Sequence, residues 1–479
     1  MRPIPALFAF VGSLAFLFGT SLRSAEDDEE KEPEEKGSPT GHEEEEERLL
    51  PPPSPNLDLS PDLTPTARAA AEEAIKTYKD AEQAKEGRPK AVRKALEALR
   101  QAAQKAHKSP VPLYWLGRGY QVIRKFSDAK GVLEKAIKMN PKFHEAVTEL
   151  ADVHVWQKEY QKSLGVYEQA LSLSPNFLQA VEGRAMAFIR LGRFAEAKPY
   201  LEQAEKIKPS KNRKFLMKAL EVEMKGPGWA KTYTAETEDY TVLTSVSQEY
   251  AQQIAFHAKM IRRAYDQVFK DVKKPDRKFP IWVYEDHAAY LKAGSPPGTG
   301  GYYNTFLRKL VLFRRPKMDD TLQTLYHEAL HQYLHDYLEA APQWFNEGLG
   351  DFFGAYRYVE QSNRKEMVPR PAPDRLPFIK KAIQAGVCPP ASKLMLMSMQ
   401  EMYNPRMIGV HYSQAWAMVY FMLEGPNRNY KKTLLDYYKE LTKGKDSQEA
   451  FDATFGKINM DRFDKDWKGF IKDLGTAGN

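Results

Sequence analysis

The sequence predicts a multidomain protein in which an all-α repeat solenoid precedes an α+β domain with a small mixed sheet and a helical C-terminal lobe. Three observations predict this fold class. Pro141, Pro175 and Pro209 stand 34 residues apart, a spacing that indicates a repeated helical unit. After Gly226-Pro227-Gly228 the pattern changes to short β-rich segments. Residues 326–338 then read YHEALHQYLHDYL, a helical pattern with a histidine at every fourth position.

The beginning of the chain is typical of an export signal. Arg2 precedes an apolar run at residues 6–18, which is shorter than the roughly 20 residues that span a membrane. We expect residues 1–25 to be a signal peptide and the protein to be periplasmic, in the cell envelope or secreted. An uncleaved N-terminal membrane anchor is the alternative. Residues 26–65 combine acidic runs with prolines, and we expect them to form a disordered linker.

Charge and cysteine content restrict the classes of partner and of metal site. The formal net charge of +7 divides into −8 over residues 1–48 and +15 over the rest. No basic run is interleaved with aromatic residues, so we expect no nucleic-acid partner. The excess of lysine is typical of solvated helix faces, although a basic body also attracts an acidic polymer of the cell wall or envelope. The single cysteine, Cys388, excludes an intrachain disulfide and a zinc cluster built from cysteines.

Residues 66–225 predict a helical domain with clear repeat units at 110–143, 144–177 and 178–210. Alanines recur where paired helices approach each other, and a proline follows the second helix of each unit. The segment 211–225 reads as a capping helix. The units resemble the tetratricopeptide-repeat family, and the resemblance implies a solenoid that binds a protein partner. A rigid spacer is the alternative.

Residues 229–475 predict the second domain, in which short strands come before most of the helices. The predicted elements are a strand at 240–245, an amphipathic helix at 247–271, a buried strand at 279–284, a turn-rich loop at 294–301, a strand at 307–314, the histidine-bearing helix, and helices from 376 onward.

The histidine-bearing helix contains an H-E-x-x-H motif. Asp319 or Asp320 is a suitable N-cap, and no proline or glycine interrupts the pattern that follows. His327 and His331 are one helical turn apart, about 6 Å, so both imidazoles can reach one zinc ion. Glu328 follows the first histidine, where it acts on water rather than on the metal.

The third ligand is best sought in the next helix. His335 lies about 12 Å along the helix from His327, too far to share an ion with it. Pro342 can open a second helix, and Glu347 falls about one turn into that helix. If the two helices pack antiparallel, Glu347 completes a His₂Glu set with an open position for water, and Asp351 is spaced to orient a ligand histidine.

The residues HEALH followed by WFNEGLGDFF resemble the gluzincin metallopeptidases of the peptidase MA-like superfamily. The chain is similar in particular to exported bacterial proteins that join helical repeats to such a domain. The resemblance implies one zinc ion held by His327, His331 and Glu347. It also implies that Glu328 is the general base and that Asp351 is a partner behind the ligands.

Three further expectations follow from the same resemblance. An edge strand before the active-site helix pairs with extended substrate, and Lys309–Phe313 is the matching segment. The family usually has alanine where this sequence has Gly350. An oxyanion-stabilising tyrosine or histidine comes from the C-terminal lobe, for which Tyr412 is the first candidate and His411 the second, with packing or capping as the alternative for both.

Two functions remain open from the sequence. The first is an exported zinc-dependent peptidase that hydrolyses a peptide or protein substrate, with repeats that bind a partner or the substrate. The second is a catalytically weak or inactive peptidase-like protein that acts as a tetratricopeptide-repeat scaffold. The intact motif favours the first.

Overall fold

The computed structural model describes residues 57–83, 88–270, 277–338, 341–361 and 364–475. The predicted signal peptide at 1–25 and most of the predicted linker lie outside the described residues. Within the described ranges, no helix is both long enough and apolar enough to cross a membrane.

The first part of the described chain is an all-helical solenoid. Its helices are α1 Pro65–Glu82, α2 Arg88–Lys105, α3 Val111–Val122, α4 Phe126–Met139, α5 His144–Trp156, α6 Tyr160–Leu173, α7 Leu178–Arg190, α8 Phe194–Ile207 and α9 Lys211–Lys225. Helices α4, α6 and α8 each end two residues before Pro141, Pro175 or Pro209, because the residue before a proline disfavours the helical region. Alanines at the paired faces, such as Ala136 and Ala170, are fully buried.

The folded part begins earlier than the sequence predicts. Leu59 falls in the predicted disordered linker, yet only 7% of it is exposed, and it packs in the solenoid core with Val111 and Ala106. The isolated leucines of this stretch supply apolar surface that the neighbouring acidic runs lack, so its end joins the core.

The second part is a mixed α/β region built on a five-stranded sheet. Its strands are β1 Tyr233–Glu236, β2 Tyr240–Thr244, β3 Phe279–Tyr284, β4 Gly301–Asn304 and β5 Lys309–Phe313, and a separate hairpin that the sequence did not predict contains β6 Arg357–Gln361 and β7 Arg364–Val368. The strand order is β1-β2-β3-β5-β4, with β2, β3 and β5 parallel and both outer strands antiparallel to their neighbours.

This order corrects the predicted edge strand. Lys309–Phe313 pairs on both sides, with β3 and with β4, so its backbone groups have no room for a further chain. The outer position belongs to Gly301–Asn304, whose first residue falls in the predicted turn-rich loop. Three glycines in residues 298–301 hid this short strand from pattern reasoning.

Helices cover the sheet and fill the C-terminal lobe. They are α10 Gln248–Phe269, α11 His287–Lys292, α12 Met318–His335, α13 Gln343–Gly354, α14 Arg375–Gln384, α15 Ala391–Met395, α16 Met399–Met402, α17 Ile408–Glu424, α18 Arg428–Thr442, α19 Ser447–Ala453, a 3-10 helix Phe455–Lys457 and α20 Met460–Asp473. The large core joins one face of the sheet to α10, α12, α13 and α17. Trp229 and Tyr290 lie against the other face.

The start of α12 differs from the prediction. The N-cap is Lys317, which makes no side-chain capping bond, so neither Asp319 nor Asp320 is the cap. Both aspartates lie inside the first turn, where their charges favour the positive end of the helix dipole.

Candidate metal centre

Helix α12 presents its two motif histidines from one buried face. His327 and His331 are four residues apart, and their ring centroids lie 4.6 Å from each other. Both side chains are buried, as is Glu328 between them in sequence. Because the helix packs into the main core over most of its length, the histidines are fixed within the protein rather than exposed on its surface.

Helix α13 brings a carboxylate to the same point. The chain turns back after α12, with Pro342 as the N-cap of α13. His331 meets Asn346 while His327 meets Asp351, so the two helices run antiparallel. Glu347 is 1% exposed, and its Oε2 lies 3.5 Å from His327 Nε2 and 3.9 Å from His331 Nε2.

The outward-facing nitrogens of both histidines are held by partners. His327 Nδ1 lies 3.3 Å from Asp351 Oδ1, and His331 Nδ1 lies 3.0 Å from Asn346 Oδ1. Arg375 in turn holds Asp351, with a distance of 2.7 Å from Nε to Oδ2. With Nδ1 donating its proton outward, each ring keeps the lone pair of Nε2 for the point where the rings meet Glu347.

The side-chain atoms that meet at this point fit a zinc ion as its ligands. Ligand atoms of His327, His331 and Glu347 all lie within 4.8 Å of one another, and they form the one such buried group among the described residues. The Nε2 atoms of both histidines and Oε2 of Glu347 are buried and have no hydrogen-bond partner in the described part of the chain. Leaving three such atoms uncompensated is expensive, and two imidazoles with one carboxylate are the ligand set of catalytic zinc.

The electrostatics of the cluster favour a positive charge at its centre. Burial opposes charge on His327, but the Asp351 and Glu347 carboxylates outweigh burial and raise the pKa of this imidazole to about 10. Burial likewise opposes charge on Glu347, but His331 and His327 hold its carboxyl pKa below the usual range. The pKa of Asp351 is lowered against burial by Arg375 and His327. A proton or a metal cation satisfies the same field.

The surroundings of Gly350 explain why this chain has glycine where the sequence resemblance leads one to expect alanine. A Cβ atom at this position would lie 2.8 Å from Cε1 of His327 and 3.0 Å from both of its ring nitrogens. An alanine here would push against the imidazole, so glycine permits the close approach of α13 to His327 in this chain.

The C-terminal lobe contributes two tyrosines near the cluster. The sequence pattern did not single out Tyr403, yet its hydroxyl lies 3.5 Å from Glu347 Oε1 and 3.3 Å from Gln343 Oε1. The Tyr412 hydroxyl is buried without a hydrogen-bond partner among the described residues, and the two rings are 6.0 Å apart. Burial and the Glu347 carboxylate raise the pKa of both phenols.

Two other histidines lie apart from the cluster. His411 places Nδ1 3.1 Å from the carbonyl oxygen of Met402, which matches the packing alternative for this residue. His335 places Nδ1 2.8 Å from the Tyr303 hydroxyl, at the far end of α12. The sequence signals for the supporting residues are uneven. Asn346 adjoins Glu347, whereas nothing in the local pattern marks Arg375.

Comparison with known families gives three matches. A model described as "Protein of unknown function (DUF1570)" matches residues 321–446, a range that contains the whole candidate centre. Two tetratricopeptide-repeat models match residues 116–177 and 179–211. A comparison with curated proteins found no match. The solenoid therefore consists of tetratricopeptide repeats, which indicates a part in protein interaction.

Comparison with solved structures finds other proteins of the repeat class. MamA from Desulfovibrio magneticus RS-1 is 18% identical over 34% of this chain and 88% of that chain, with a TM-score of 0.29. A thermophilic repeat protein of Thermus thermophilus, TTC0263, is 18% identical over 33% of this chain and 82% of that chain, with a TM-score of 0.28. The first tetratricopeptide domain of Spaghetti (RPAP3), solved with the HSP90 peptide SRMEEVD, is 18% identical over 24% of this chain and 94% of that chain, with a TM-score of 0.24.

Proposed function

We propose that the mixed α/β region is a zinc-dependent peptidase of the gluzincin type, in an exported protein whose repeats bind a protein partner or the substrate. The single observation that carries this proposal is the convergence of three buried acceptor atoms, from His327, His331 and Glu347. Structural zinc sites have four protein ligands, whereas three ligands leave a position open for water, as hydrolysis requires.

The chemistry divides between the ion and the side chains. When bound, zinc lowers the pKa of a water molecule and polarises the carbonyl of the substrate. Glu328 is the general base in this proposal: it takes the proton of the attacking water and returns it to the nitrogen of the leaving amine. Its position supports this assignment, because it directly follows His327 on α12 and its side chain is buried.

The outer strand β4 is the proposed site for the substrate backbone. Among the described residues Gly301–Asn304 pairs with β5 on one side and has no strand on the other, and an extended peptide can add to that side by main-chain hydrogen bonds. A Cβ at Gly301 would lie 2.9 Å from Cγ2 of Thr324, which is one helical turn before Glu328 on the same face of α12. A peptide on this strand would therefore pass beside the proposed base.

Tyr403 is the proposed donor to the oxyanion. Its hydroxyl lies 3.5 Å from Oε1 of the Glu347 carboxylate, whereas the Tyr412 hydroxyl has no hydrogen-bond partner among the described residues. Tyr412 is assigned the supporting part, with its ring against Tyr403 and Arg375.

Metal analysis tests the site. We expect about one zinc per wild-type chain and a loss of affinity greater than about 100-fold in Glu347→Gln, because removal of an outer partner alone costs roughly 10- to 100-fold. The matched control is Glu360→Gln on the hairpin, where the carboxylate is 55% exposed. A wild-type protein that takes up no zinc would disprove both the site and the mechanism.

A digest of a peptide library tests the activity. Glu328→Gln should retain zinc and lose about 10²- to 10⁴-fold in rate, since it removes the proton acceptor and leaves the ligands in place. Equal cleavage by the two proteins would contradict the assignment of the base. Zinc binding without cleavage by wild type would instead favour the scaffold function, in which the repeats supply the activity.

A further inference from the structure

The turns within the helical repeats meet the peptidase-like region at regular intervals. Arg124, Lys158 and Gly192 occupy the same position in successive repeats, 34 residues apart, and all three have positive φ values of 56°, 61° and 73°. This left-handed position ends the first helix of each pair, so whatever stands there projects from one edge of the solenoid.

Each of these positions contacts the second region. The Arg124 side chain packs over Gly444 so closely that a Cβ there would overlap Cδ of the arginine. Lys158 Nζ lies 3.9 Å from Asp336 Oδ1 and 5.6 Å from the centre of the Tyr337 ring. A Cβ on Gly192 would lie 2.9 Å from Nη1 of Arg277. The edge of the solenoid is therefore in contact with the rest of the chain along three repeats.

The β4–β5 turn is inserted at the C-terminal end of this edge. Leu307, at the tip of the turn, is 5% exposed and belongs to the solenoid core that contains Ala185 and Phe188. Arg190, the last residue of α7, donates from Nη1 to the carbonyl oxygen of Thr305 at 3.2 Å. A side chain from the α/β region is therefore part of the hydrophobic core of the repeats.

The contact between the turn edge of the solenoid and the α/β region forms a joint, and two buried ion pairs extend this joint to α12 and to the sheet. Arg308, with a φ of 53°, pairs with Asp336 immediately after the last turn of α12, and each side chain is 7% exposed. Lys309 at the start of β5 pairs with Glu223 of the capping helix α9, again with 7% of each side chain exposed. Removal of one partner from such a buried ion pair strongly destabilises the folded protein, so both pairs stabilise the joint.

The joint touches the two elements that border the candidate cleft. Strand β4 runs directly into the turn that Arg190 and Leu307 hold. Helix α12 carries His331 one turn before His335, and His335 is bonded to Tyr303 of β4 in the same joint. His335 therefore links the helix of the candidate metal centre to the outer strand β4 beside the solenoid.

We propose that the turn edge of the tetratricopeptide solenoid is a docking surface used in cis, and that Arg190 and Leu307 are positioning residues for β4 and the end of α12. The repeats then maintain the shape of the cleft in addition to any partner they bind. The effect on hydrolysis rests on the proposed peptidase function, whereas the docking itself does not.

Hydrogen exchange in the full-length chain tests the docking. In Arg190→Ala and Leu307→Ala, amides of residues 301–309 and 333–338 should exchange about tenfold faster than in wild type, as loss of one favourable contact allows. Arg193→Ala is the matched control: it lies on the same turn, is 38% exposed and pairs with Glu196 instead. Exchange equal to wild type in both joint variants would overturn the proposal.

Metal affinity and peptide kinetics separate positioning from general damage. Zinc affinity should stay within about threefold of wild type while the KM for peptide rises about tenfold, and Arg190→Lys should restore most of the loss because it keeps a charged donor. If Leu307→Ala fails to fold, the pair Arg190→Ala and Arg190→Lys decides. Equal losses of zinc and peptide affinity would refute a positioning part. A wild-type chain without peptidase activity would refute the proposed function alone, because exchange still reports on the joint.

Discussion

Two buried clusters of charged side chains differ in how their donors are arranged: one lies in the solenoid around Arg118, and the other is the candidate metal centre between α12 and α13. In the solenoid, Arg118 is 1% exposed and pairs with Glu149 and with Glu82, the latter at 3.0 Å. Glu149 also accepts from Gln121 at 2.8 Å and from Tyr114 at 3.3 Å. The Arg118, Gln121 and Tyr114 donors thus face the Glu82 and Glu149 carboxylates, which are paired within the protein, although Oδ2 of the neighbouring Asp152 is buried without a hydrogen-bond partner among the described residues.

The candidate metal centre has the opposite arrangement of donors and acceptors. His327 Nε2, His331 Nε2 and Glu347 Oε2 face one another as acceptors, and the donors nearby, Arg375 and the Nδ1 protons, point away from that spot. Acceptors that face acceptors favour a proton or a metal cation between them. The direction of the donors, rather than charge or depth, therefore distinguishes a buried polar cluster that is paired within the protein from one that can accept a cation.

The largest expected effect is the loss of stability when the buried cluster of the solenoid is disrupted. Glu149→Gln should lower the free energy of unfolding by about 3 to 5 kcal/mol, because it removes one of the two carboxylate partners of a buried arginine. Urea denaturation measures this, and zinc affinity should not change. The control Glu168→Gln removes a carboxylate that is 69% exposed and should cost less than about 1 kcal/mol. An equal loss of stability in both variants would contradict the stabilising role of the buried carboxylate.

The next effect is on catalysis at the metal centre. Tyr403→Phe should lower kcat by about 10²- to 10³-fold, as expected for the loss of one oxyanion donor, with the thermal midpoint nearly unchanged. Tyr412→Phe should lower kcat by only about tenfold, because the substitution keeps the ring that packs against Tyr403. Steady-state kinetics on one cleaved peptide checks both variants. The reverse order would return the oxyanion assignment to Tyr412, the first candidate from the sequence.

A smaller effect concerns the partner behind the ligands. Asp351→Asn should weaken zinc binding by roughly 10- to 100-fold, because the amide holds His327 less firmly and leaves Arg375 without its carboxylate partner. Competition with a chelator measures the affinity. Asp319→Asn at the start of the same helix, 67% exposed, should have no measurable effect. An affinity equal to wild type in Asp351→Asn would show that orientation of His327 does not depend on this contact.

Over a single pH unit, the smallest effect is the pH dependence of the solenoid cluster. Burial, with Glu149 nearby, raises the pKa of Asp152 to about 8, from 3.8 in its unperturbed state. The folded state then binds more protons than the unfolded state between those values, so stability should fall as pH rises from about 4 to 8, by at most about 1.4 kcal/mol per pH unit.

Urea titrations at several pH values measure this slope for wild type and for Asp152→Asn, in which the slope should be smaller. Asp128→Asn, in the first turn of α4 and exposed to solvent, is the control and should leave the slope as in wild type. A steeper slope in Asp152→Asn would contradict the assignment of a bound proton to this carboxyl.

Prediction from sequence succeeded where a period or a fixed offset carries the information. The spacing of Pro141, Pro175 and Pro209 indicates tetratricopeptide repeats because each unit repeats the same helix pair, and the family models match there. The sequence predicts Glu347 about one turn into the helix that follows Pro342 and Asp351 four residues later, and in the structure both carboxylates lie against His327. Prediction failed at β4, where glycines conceal a strand, and at the N-cap of α12.

The supporting residues of the centre were beyond local patterns. Arg375 and Tyr403 follow Glu347 by 28 and 56 residues, on α14 and after α16. Their side chains reach the cluster only because these elements pack around α13 and α17. No offset along the chain encodes such a contact.

By itself the sequence determined that one helix carries two histidines and a glutamate at zinc-binding spacing, after a solenoid with a 34-residue period, because helical geometry converts spacing directly into position. Only the tertiary structure decided which acceptor atoms turn toward that point, which strand stands at the end of the sheet after β5, and that His335, which helical spacing excludes from the site, contacts Tyr303. Those features depend on packing between segments far apart in the chain, and packing has no fixed period.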